Sequence, residues 1–347
     1  MSHRVTLADR STGFDAEPQE NLLAAGLRQR LALPFGCRSG TCASCRVRLL
    51  SGQVEYPVAP PALSAAEIDA GYILMCLAQP RSDLSIELHQ PPQLDAIRPR
   101  TLPCRVQQQR MLAHDVIGLI LKLPKSNDSS SAFRFLPGQY IDFLLDGGRR
   151  RSFSIANAPA PDLSGEVLEL HLRVTPQGRF ARWVLEEMPA RAILQFEGPL
   201  GAFYVREDSA RPLLFVAGGT GFAPIKAMIE RQLALGSARP MHLYWGARSR
   251  RDLYLHDLAA EWAAQHARLR YTPVLSEPDE GWTGERGMVH EAVLRAQPDL
   301  RGYEAYLSGP PVMVRTGKLA FAAAGLDSDH LYYDSFDYAY ETWPVAG

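Results

Sequence analysis

The stretch Gly36-Cys37-Arg38-Ser39-Gly40-Thr41-Cys42-Ala43-Ser44-Cys45 decides how the rest of the chain is read. Its cysteines are separated by four and then two residues, and Cys76 follows thirty residues on, in Ile73-Leu74-Met75-Cys76-Leu77-Ala78. Two irons bridged by sulfide need four thiolates, two per iron. Three from a tight loop and a fourth from a distant segment make the C-x4-C-x2-C…C set of a [2Fe–2S] cluster. The small residues Gly36, Ser39, Gly40, Thr41, Ala43 and Ser44 let the backbone wrap closely and aim its N–H groups at the sulfurs. Two other readings are weaker. Zinc sites usually repeat a short C-x2-C pair, and Cys42 and Cys45 form the single pair here. A disulfide framework suits a short secreted chain, and this one has 347 residues. The fifth cysteine, Cys104, reads as a small buried apolar side chain at a strand start.

Composition bounds the rest. The chain is 46% hydrophobic and 22% charged, ordinary globular values with room for two or three domains. Lys plus Arg is 37 against Asp plus Glu 38, so nothing argues for nucleic acid or for an acidic solvating tail. The longest uncharged stretch, Pro212 to Ile225, is too short for a bilayer and is broken by glycines and prolines, so no membrane is expected. Arg4, Asp9 and Arg10 leave no apolar signal core, and thiolate cysteines fit a reducing compartment, so the expected location is the cytoplasm.

Along the chain, residues 4–8 alternate as a strand, and Glu20 to Ala32 carries an apolar stripe at helical spacing, ended by Pro34 and Gly36. Arg46 to Tyr56 reads as a hairpin turning at Ser51-Gly52. Ser64 to Gly71 reads as a short helix with a Ser64–Glu67 capping box, and Leu84 to His89 as a closing strand. Residues 93–101 read as a proline-rich linker. From Leu102 short strands with Gly/Pro turns suggest a small antiparallel barrel, interrupted by one helix, Gly178 to Met188. After Pro212, apolar strands alternate with helices at 224–235, 253–266, 289–296 and 311–324, the pattern of a doubly wound parallel α/β sheet.

With Cys37, Cys42, Cys45 and Cys76 as ligands, residues 1–92 resemble the plant-type ferredoxin domain, which implies a β-grasp fold. The barrel segment carries Arg151-Ser152-Phe153-Ser154. A cation for a pyrophosphate, a ring against an isoalloxazine and a hydroxyl near its N5 are what a flavin needs, and Arg151, Phe153 and Ser154 offer one each. Taken alone, these residues equally describe a serine-rich strand with a surface arginine. With Gly138-Gln139-Tyr140 before them and His171-Leu172-Arg173-Val174 and Gly178-Arg179-Phe180 after, they resemble the R-x-[YF]-S flavin motif of the ferredoxin–NADP reductase superfamily. That resemblance implies FAD, held by Arg151, Ser152, Phe153 and Ser154, by Leu172 to Val174, and at the pyrophosphate by Gly178, Arg179 and Phe180. The chain departs from many relatives at Ala181, where a Ser or Thr would donate to a phosphate oxygen.

Gly218-Gly219-Thr220-Gly221, between an apolar strand and a helix opened by Pro224, reads as a phosphate loop. It resembles the superfamily's G-G-T-G-x-x-P pyridine-nucleotide motif, and Ser308-Gly309-Pro310-Pro311 its C-G-P-P turn, with Ser308 where the family places a cysteine by the nicotinamide. Tyr333-Asp334-Ser335-Phe336 resembles the end of the chain where relatives lay an aromatic ring over the flavin, although plain core packing also suits Phe336. The expected catalytic contacts are therefore Ser154, Ser308 and Phe336.

The expected organisation is a ferredoxin domain at 1–92, an FAD barrel at 102–208, a nucleotide domain at 209–338 and a tail at 339–347, a multidomain α+β and α/β chain. Its order resembles the reductase components of bacterial oxygenases, and equally the CDP-6-deoxy-glucoseen reductase of deoxysugar synthesis. A nicotinamide gives up an electron pair, a [2Fe–2S] cluster takes electrons singly, and a flavin can do both. The reading is a relay from NADH (or NADPH) through FAD and the cluster to a one-electron acceptor protein, a terminal oxygenase first, a sugar dehydrase second. Arg248, Arg250 and Arg251 stand near where an adenine ribose would lie, as a 2′-phosphate clamp or as a solvated loop; resemblance favours NADH. The nine histidines lack metal or triad spacing and read as structural. A non-enzymatic redox sensor has no use for a complete nucleotide domain, and a zinc-bearing binding module would be colourless.

Overall fold

A computed structural model describes residues 2–8, 12–29, 31, 33–36, 38–40, 43–63, 65–88, 97–125 and 132–336. Cys37, Cys42, the Ser64 cap and residues 93–96 of the expected linker lie outside these. The chain divides into two compact units, residues 1–100 with 197–203, and residues 101–196 with 204–347.

The first unit runs β1 (His3–Leu7), β2 (Gly13–Ala16), α1 (Leu22–Arg28), β3 (Arg46–Ser51), β4 (Val54–Glu55), α2 (Ala65–Asp69), β5 (Tyr72–Leu74), β6 (Gln79–Pro80) and β7 (Leu84–Glu87). Five of these strands form a mixed sheet in the order β2-β1-β7-β3-β5, with β1 parallel to β7. Helix α1 is shorter than its sequence stripe. Asn21 caps it through Ala24 N–H, and Leu22, Leu23 and Ala25 are buried. The expected hairpin from Arg46 to Tyr56 does not form. The chain does turn at Gly52, with φ +96°, but β3 pairs with β5 and β7, and β4 pairs with β6 in a separate two-stranded ribbon. A strand has two edges. Both edges of β3 are taken, so β4 peels away.

The second unit opens with β8 (Arg100–Ala113), β9 (Val116–Lys122), β10 (Tyr140–Leu145), β11 (Arg149–Ser154), β12 (Val167–Arg173), α3 (Arg179–Glu186) and β13 (Ile193–Leu200). The sheet order is β11-β10-β13-β8-β9-β12, and an Ile155–Leu170 bridge joins the two outer strands, closing the barrel. Its core is Leu119, Phe135, Phe143, Leu170, Leu172 and Phe196, with Phe180 and Val184 of α3 plugged into it. Cys104 is buried and its thiol lies 3.6 Å from the Leu194 carbonyl, a packing residue as read.

The chain continues with β14 (Leu213–Gly218), α4 (Phe222–Ala234), β15 (Met241–Ala247), α5 (His256–Gln265), β16 (Leu269–Leu275), β17 (Glu285–Arg286), α6 (Val289–Ala296), β18 (Glu304–Gly309), α7 (Pro311–Ala323) and β19 (Leu331–Ser335). All pair in parallel, in the order β17-β16-β15-β14-β18-β19. Both faces of β14 are covered, and every one of its residues is buried, which is why it reads as an unbroken apolar run. Successive strands move one way from β14 to β17, then restart on the other side at β18. The crevice at the carboxyl ends of β14 and β18 is thus the topological switch point, where open α/β sheets bind ligands.

One histidine of this unit, His171, is buried, and a second, His242, is half-buried. Burial holds His171 below its ordinary value of 6.5 despite the Glu169 carboxylate beside it, and burial together with Arg270 brings His242 down to about 4. Burial opposes the charge on Glu169, but hydrogen bonds and charge from His171 and Lys226 win, leaving it at about 2. All three groups are harder to protonate folded than unfolded, so acid favours the unfolded chain. The expected outcome is full stability above pH 6.5, progressive loss from 6.5 toward 4 as the unfolded histidines charge, and further loss below 4.5 from Glu169. All five tryptophans follow residue 180, so urea midpoints followed by tryptophan emission report this unit. Midpoints that stay level from pH 7 to 4, or a slope unchanged by His242→Gln, would contradict the assignment.

Candidate functional site

In the first unit, Cys45 and Cys76 are both buried. Met75 N–H donates to the Cys45 carbonyl at 3.1 Å, extending the β3–β5 pairing of Arg46 with Leu74 and drawing the two cysteine segments together. The Cys76 turn is held from behind by α1, since the N–H groups of Leu22 and Leu23 donate to the carbonyls of Ala78 and Met75. These are first-turn donors that a helix cannot satisfy within itself. Tyr56 accepts from Leu74 N–H at 3.0 Å, and burial, then the sulfurs of Cys45 and Cys76, push its phenol up to about 12. On the other side, Gly40 (φ +80°) packs so closely that a Cβ there would lie 2.3 Å from Leu77 Cδ1, beside Cys76. Arg38 and Ala43 also take positive φ, 58° and 50°, tightening the loop. A convergent pair of buried thiols under a coiled loop fits the sulfur-rich donor set of a cluster.

The flavin motif lies on β11. Side chains alternate along a strand, so Arg151 and Phe153 share one face while Ser152 and Ser154 share the other. Phe153 packs on Phe143 and Phe180 at 5.9 and 5.5 Å between ring centres. Ser152 Oγ donates to Asp142 Oδ1 at 2.6 Å. Ser154 Oγ reaches Asp334 Oδ2 at 3.5 Å, on β19. Leu172 is fully buried in the barrel core and Val174 packs against it, so their backbones rather than their side chains face outward. Gly178 starts α3, where Phe180 and Ala181 are buried and Arg179 is exposed.

The nucleotide loop and the Ser308–Pro310 turn meet at the switch point. A Cβ on Gly221 would lie 2.0 Å from the Ser308 carbonyl oxygen, and one on Gly218 would lie 2.4 Å from Met313 Sδ. Trp245 Nε1 donates to the Gly219 carbonyl at 3.0 Å and stacks on Phe222 at 3.9 Å, bracing the loop from below. Ser308 pairs with Ala217 on one side and Asp334 on the other. Phe336 N–H donates to the Gly309 carbonyl at 3.0 Å. Ser154, Ser308 and Phe336, from three distant stretches, are therefore gathered around Asp334 and Gly309. The Ser308 hydroxyl is fully buried and has no hydrogen-bond partner among the described residues, an uncommon state for such a group and one that suits a ligand edge at this strand end.

Two residues here lie inside motifs already read, but nothing in the sequence assigned their side chains a task of their own. Asp334 gains its place through the β18–β19 register. Arg173 leaves β12 with Nε bound to Asp115 Oδ2 at 3.0 Å, and its Nη1 lies 2.9 Å from where a Gly219 Cβ would be, so its guanidinium overhangs the loop. His114, Asp115 and Asp252 bring ligand atoms within 4.8 Å of one another, but Asp115 is held by Arg173 and Asp252 by Ser249, an ion-pair cluster rather than a convergent ligand set.

Comparisons with known proteins agree with this layout. The description "2Fe-2S iron-sulfur cluster binding domain" matches residues 5–81, "Oxidoreductase FAD-binding domain" residues 103–204, and "Oxidoreductase NAD-binding domain" residues 215–318. The chain is 35% identical over 336 residues to the CDP-6-deoxy-L-threo-D-glycero-4-hexulose-3-dehydrase reductase of Yersinia pestis, covering 97% of this chain and 99% of that one. It is 35% identical over 327 residues to the phenol 2-monooxygenase reductase component DmpP of Pseudomonas sp. strain CF600, covering 90% and 88%. Among solved structures, the Amycolatopsis cytochrome P450 reductase GcoB superposes with a TM-score of 0.73 at 31% identity, covering 96% of this chain and 98% of that one. The chain belongs to the family of NAD(P)H-dependent [2Fe–2S] flavoprotein reductases, with an iron–sulfur domain, an FAD barrel and a nucleotide domain. No described helix is long and apolar enough to cross a membrane.

The close approach at Gly221 gives a direct test. Gly221→Ala forces a methyl group onto the Ser308 carbonyl, and relieving it lifts the loop off β18. Overpacking of this kind is expected to weaken NAD+ binding by about tenfold to a hundredfold. FAD content should be retained, and Gly302→Ala, which meets open space, should bind as the wild type. Calorimetric titration with NAD+ checks this; equal affinities for the three proteins would refute the wedge.

Proposed function

We propose that this chain is the reductase component of a multicomponent system, passing electrons one at a time to a separate terminal oxygenase. The observation that supports it most is the gathering of Ser154, Ser308 and Phe336 around Asp334 and Gly309 in a chain that also brings Cys45 to Cys76. When bound, FAD would take one hydride, and so two electrons, from NAD(P)H and release the electrons one at a time to the cluster.

The residues have separate tasks in this reading. Cys37, Cys42, Cys45 and Cys76 hold the cluster. Arg151 meets the flavin pyrophosphate with the α3 start at Gly178 and Arg179. Ser152 acts through Asp142, keeping β10 and β11 in register under the flavin. Ser154 presents its hydroxyl at the flavin edge, oriented by Asp334. Backbone groups of Leu172 and Val174 line the flavin, and Phe153 and Phe180 form the apolar bed beneath it. Gly218, Gly219, Thr220 and Gly221 cradle the nucleotide pyrophosphate. Ser308, Gly309 and Pro310 border the nicotinamide, where the buried hydroxyl replaces the family's thiol, and Phe336 covers the ring. Such work is binding, orientation and exclusion of water, and none of it requires a general acid or base.

A second acceptor has specific support. The dehydrase reductase of Yersinia pestis matches this chain nearly end to end, so a deoxysugar dehydrase is the alternative partner. NADH is the proposed donor. Arg248, Arg250 and Arg251 are exposed beyond β15, and Ser249 and Asp252 close the turn between them by hydrogen bonds of 2.8 and 2.9 Å. The proposed location is the cytoplasm.

Four measurements test this. Anaerobic NADH should bleach flavin and cluster absorbance together. Cys42→Ala should keep FAD and its bleaching by NADH, while electron delivery to cytochrome c falls by about tenfold or more. Persistence of full delivery would exclude the cluster from the route. The KM for NADH should lie below that for NADPH, and the reverse order would assign the three arginines to a 2′-phosphate. Turnover with a purified aromatic oxygenase, set against turnover with a deoxysugar dehydrase, separates the two partners.

A further inference from the structure

Helix α4 begins at the nucleotide loop, and its next turns reach into the flavin barrel. Lys226 is 5% exposed, and its ammonium donates to the Ala156 carbonyl at 2.9 Å and to Glu169 Oε2 at 2.8 Å. Glu230, one turn on, pairs with Lys226 at 2.8 Å and accepts from the Ala158 N–H at 3.1 Å. Arg231, 8% exposed, donates to the carbonyls of Ala160 and Pro161 at 3.4 and 3.3 Å. Lys226 and Glu230, four residues apart, share a helix face, and Arg231 stands next to Glu230. Together they grip the barrel backbone at 156, 158, 160 and 161, starting two residues past Ser154.

The grip continues inside the barrel. Glu169, on β12, also binds His171 Nε2 at 3.1 Å, and His171 Nδ1 meets Tyr254 Oη at 3.0 Å, beyond β15. Six residues therefore tie the nucleotide half to β12 and to the segment that follows β11. Surface ion pairs would be too weak and too mobile for such a link, but Lys226 and His171 are buried and Lys226 has three partners.

We propose that Lys226, with Glu169 and Glu230, is the positioning residue that fixes the nucleotide loop relative to the flavin strand, so that the nicotinamide meets the flavin at reacting distance without domain closure. The inference rests on the reductase reading above. Rates of transfer are steep in distance, and a displacement of about 1 Å costs about a hundredfold.

Lys226→Met leaves the loop glycines and the flavin contacts in place but removes the ammonium from both partners. Because it strands the Glu169 charge, the double variant Lys226→Met/Glu169→Gln is made beside it, removing both charges. Stopped-flow reduction of FAD by saturating NADH, under anaerobic conditions, is measured with NADH and with NADH deuterated at C4. The expected result is full FAD content, a KM within about threefold of wild type, and flavin reduction slowed about tenfold to a hundredfold with a larger isotope effect. A variant that keeps its FAD and reduces at the wild-type rate overturns the proposal. So does loss of FAD from both variants, which would make the cluster a folding element. If the wild type itself is not reduced by either nucleotide, the reductase reading fails instead.

Discussion

The meeting of Gly221 with the Ser308 carbonyl, too close for even a methyl group between them, is the contact on which the catalytic half depends. It forces the loop after β14 and the turn after β18 to share one crevice. The same turn hydrogen-bonds Phe336 and, through the β18–β19 register, sets Asp334 beside Ser154. A looser loop would leave each motif intact and the reacting groups apart.

The iron–sulfur unit solves a similar problem by different means. Its loop comes close through positive φ at Arg38, Gly40 and Ala43 rather than through a parallel sheet. Cys76 lies in a turn whose carbonyls cap α1, so the helix and that turn stabilise each other. Neither arrangement calls on a titrating catalytic group. Fixed distances and burial are the means throughout, as suits a protein that moves electrons between cofactors.

Motif-bearing segments were the most legible. The run Leu213 to Ala217, the glycines after it and the helix beyond gave β14, the loop and α4 because a strand buried on both faces and a phosphate loop both leave local marks. The stripe of Phe180 and Val184 gave α3. Pairing was less legible. Arg46 to Tyr56 has the composition of a hairpin, yet both edges of β3 are claimed by strands from later in the chain. The two-residue β17 is exposed and polar and leaves no pattern to read.

By itself the sequence determined which cofactors this protein takes and in what order along the chain, because cysteine spacing, glycine placement and strand–helix alternation are local consequences of the chemistry they serve. Tertiary structure alone decided which side chains stand together. Asp334 beside Ser154, Arg173 over Gly219, and the grip of Lys226, Glu230 and Arg231 on the barrel backbone each join residues dozens to nearly two hundred positions apart. Such contacts follow from sheet register and helix direction, and no periodicity in a single chain encodes a partner that only folding brings near.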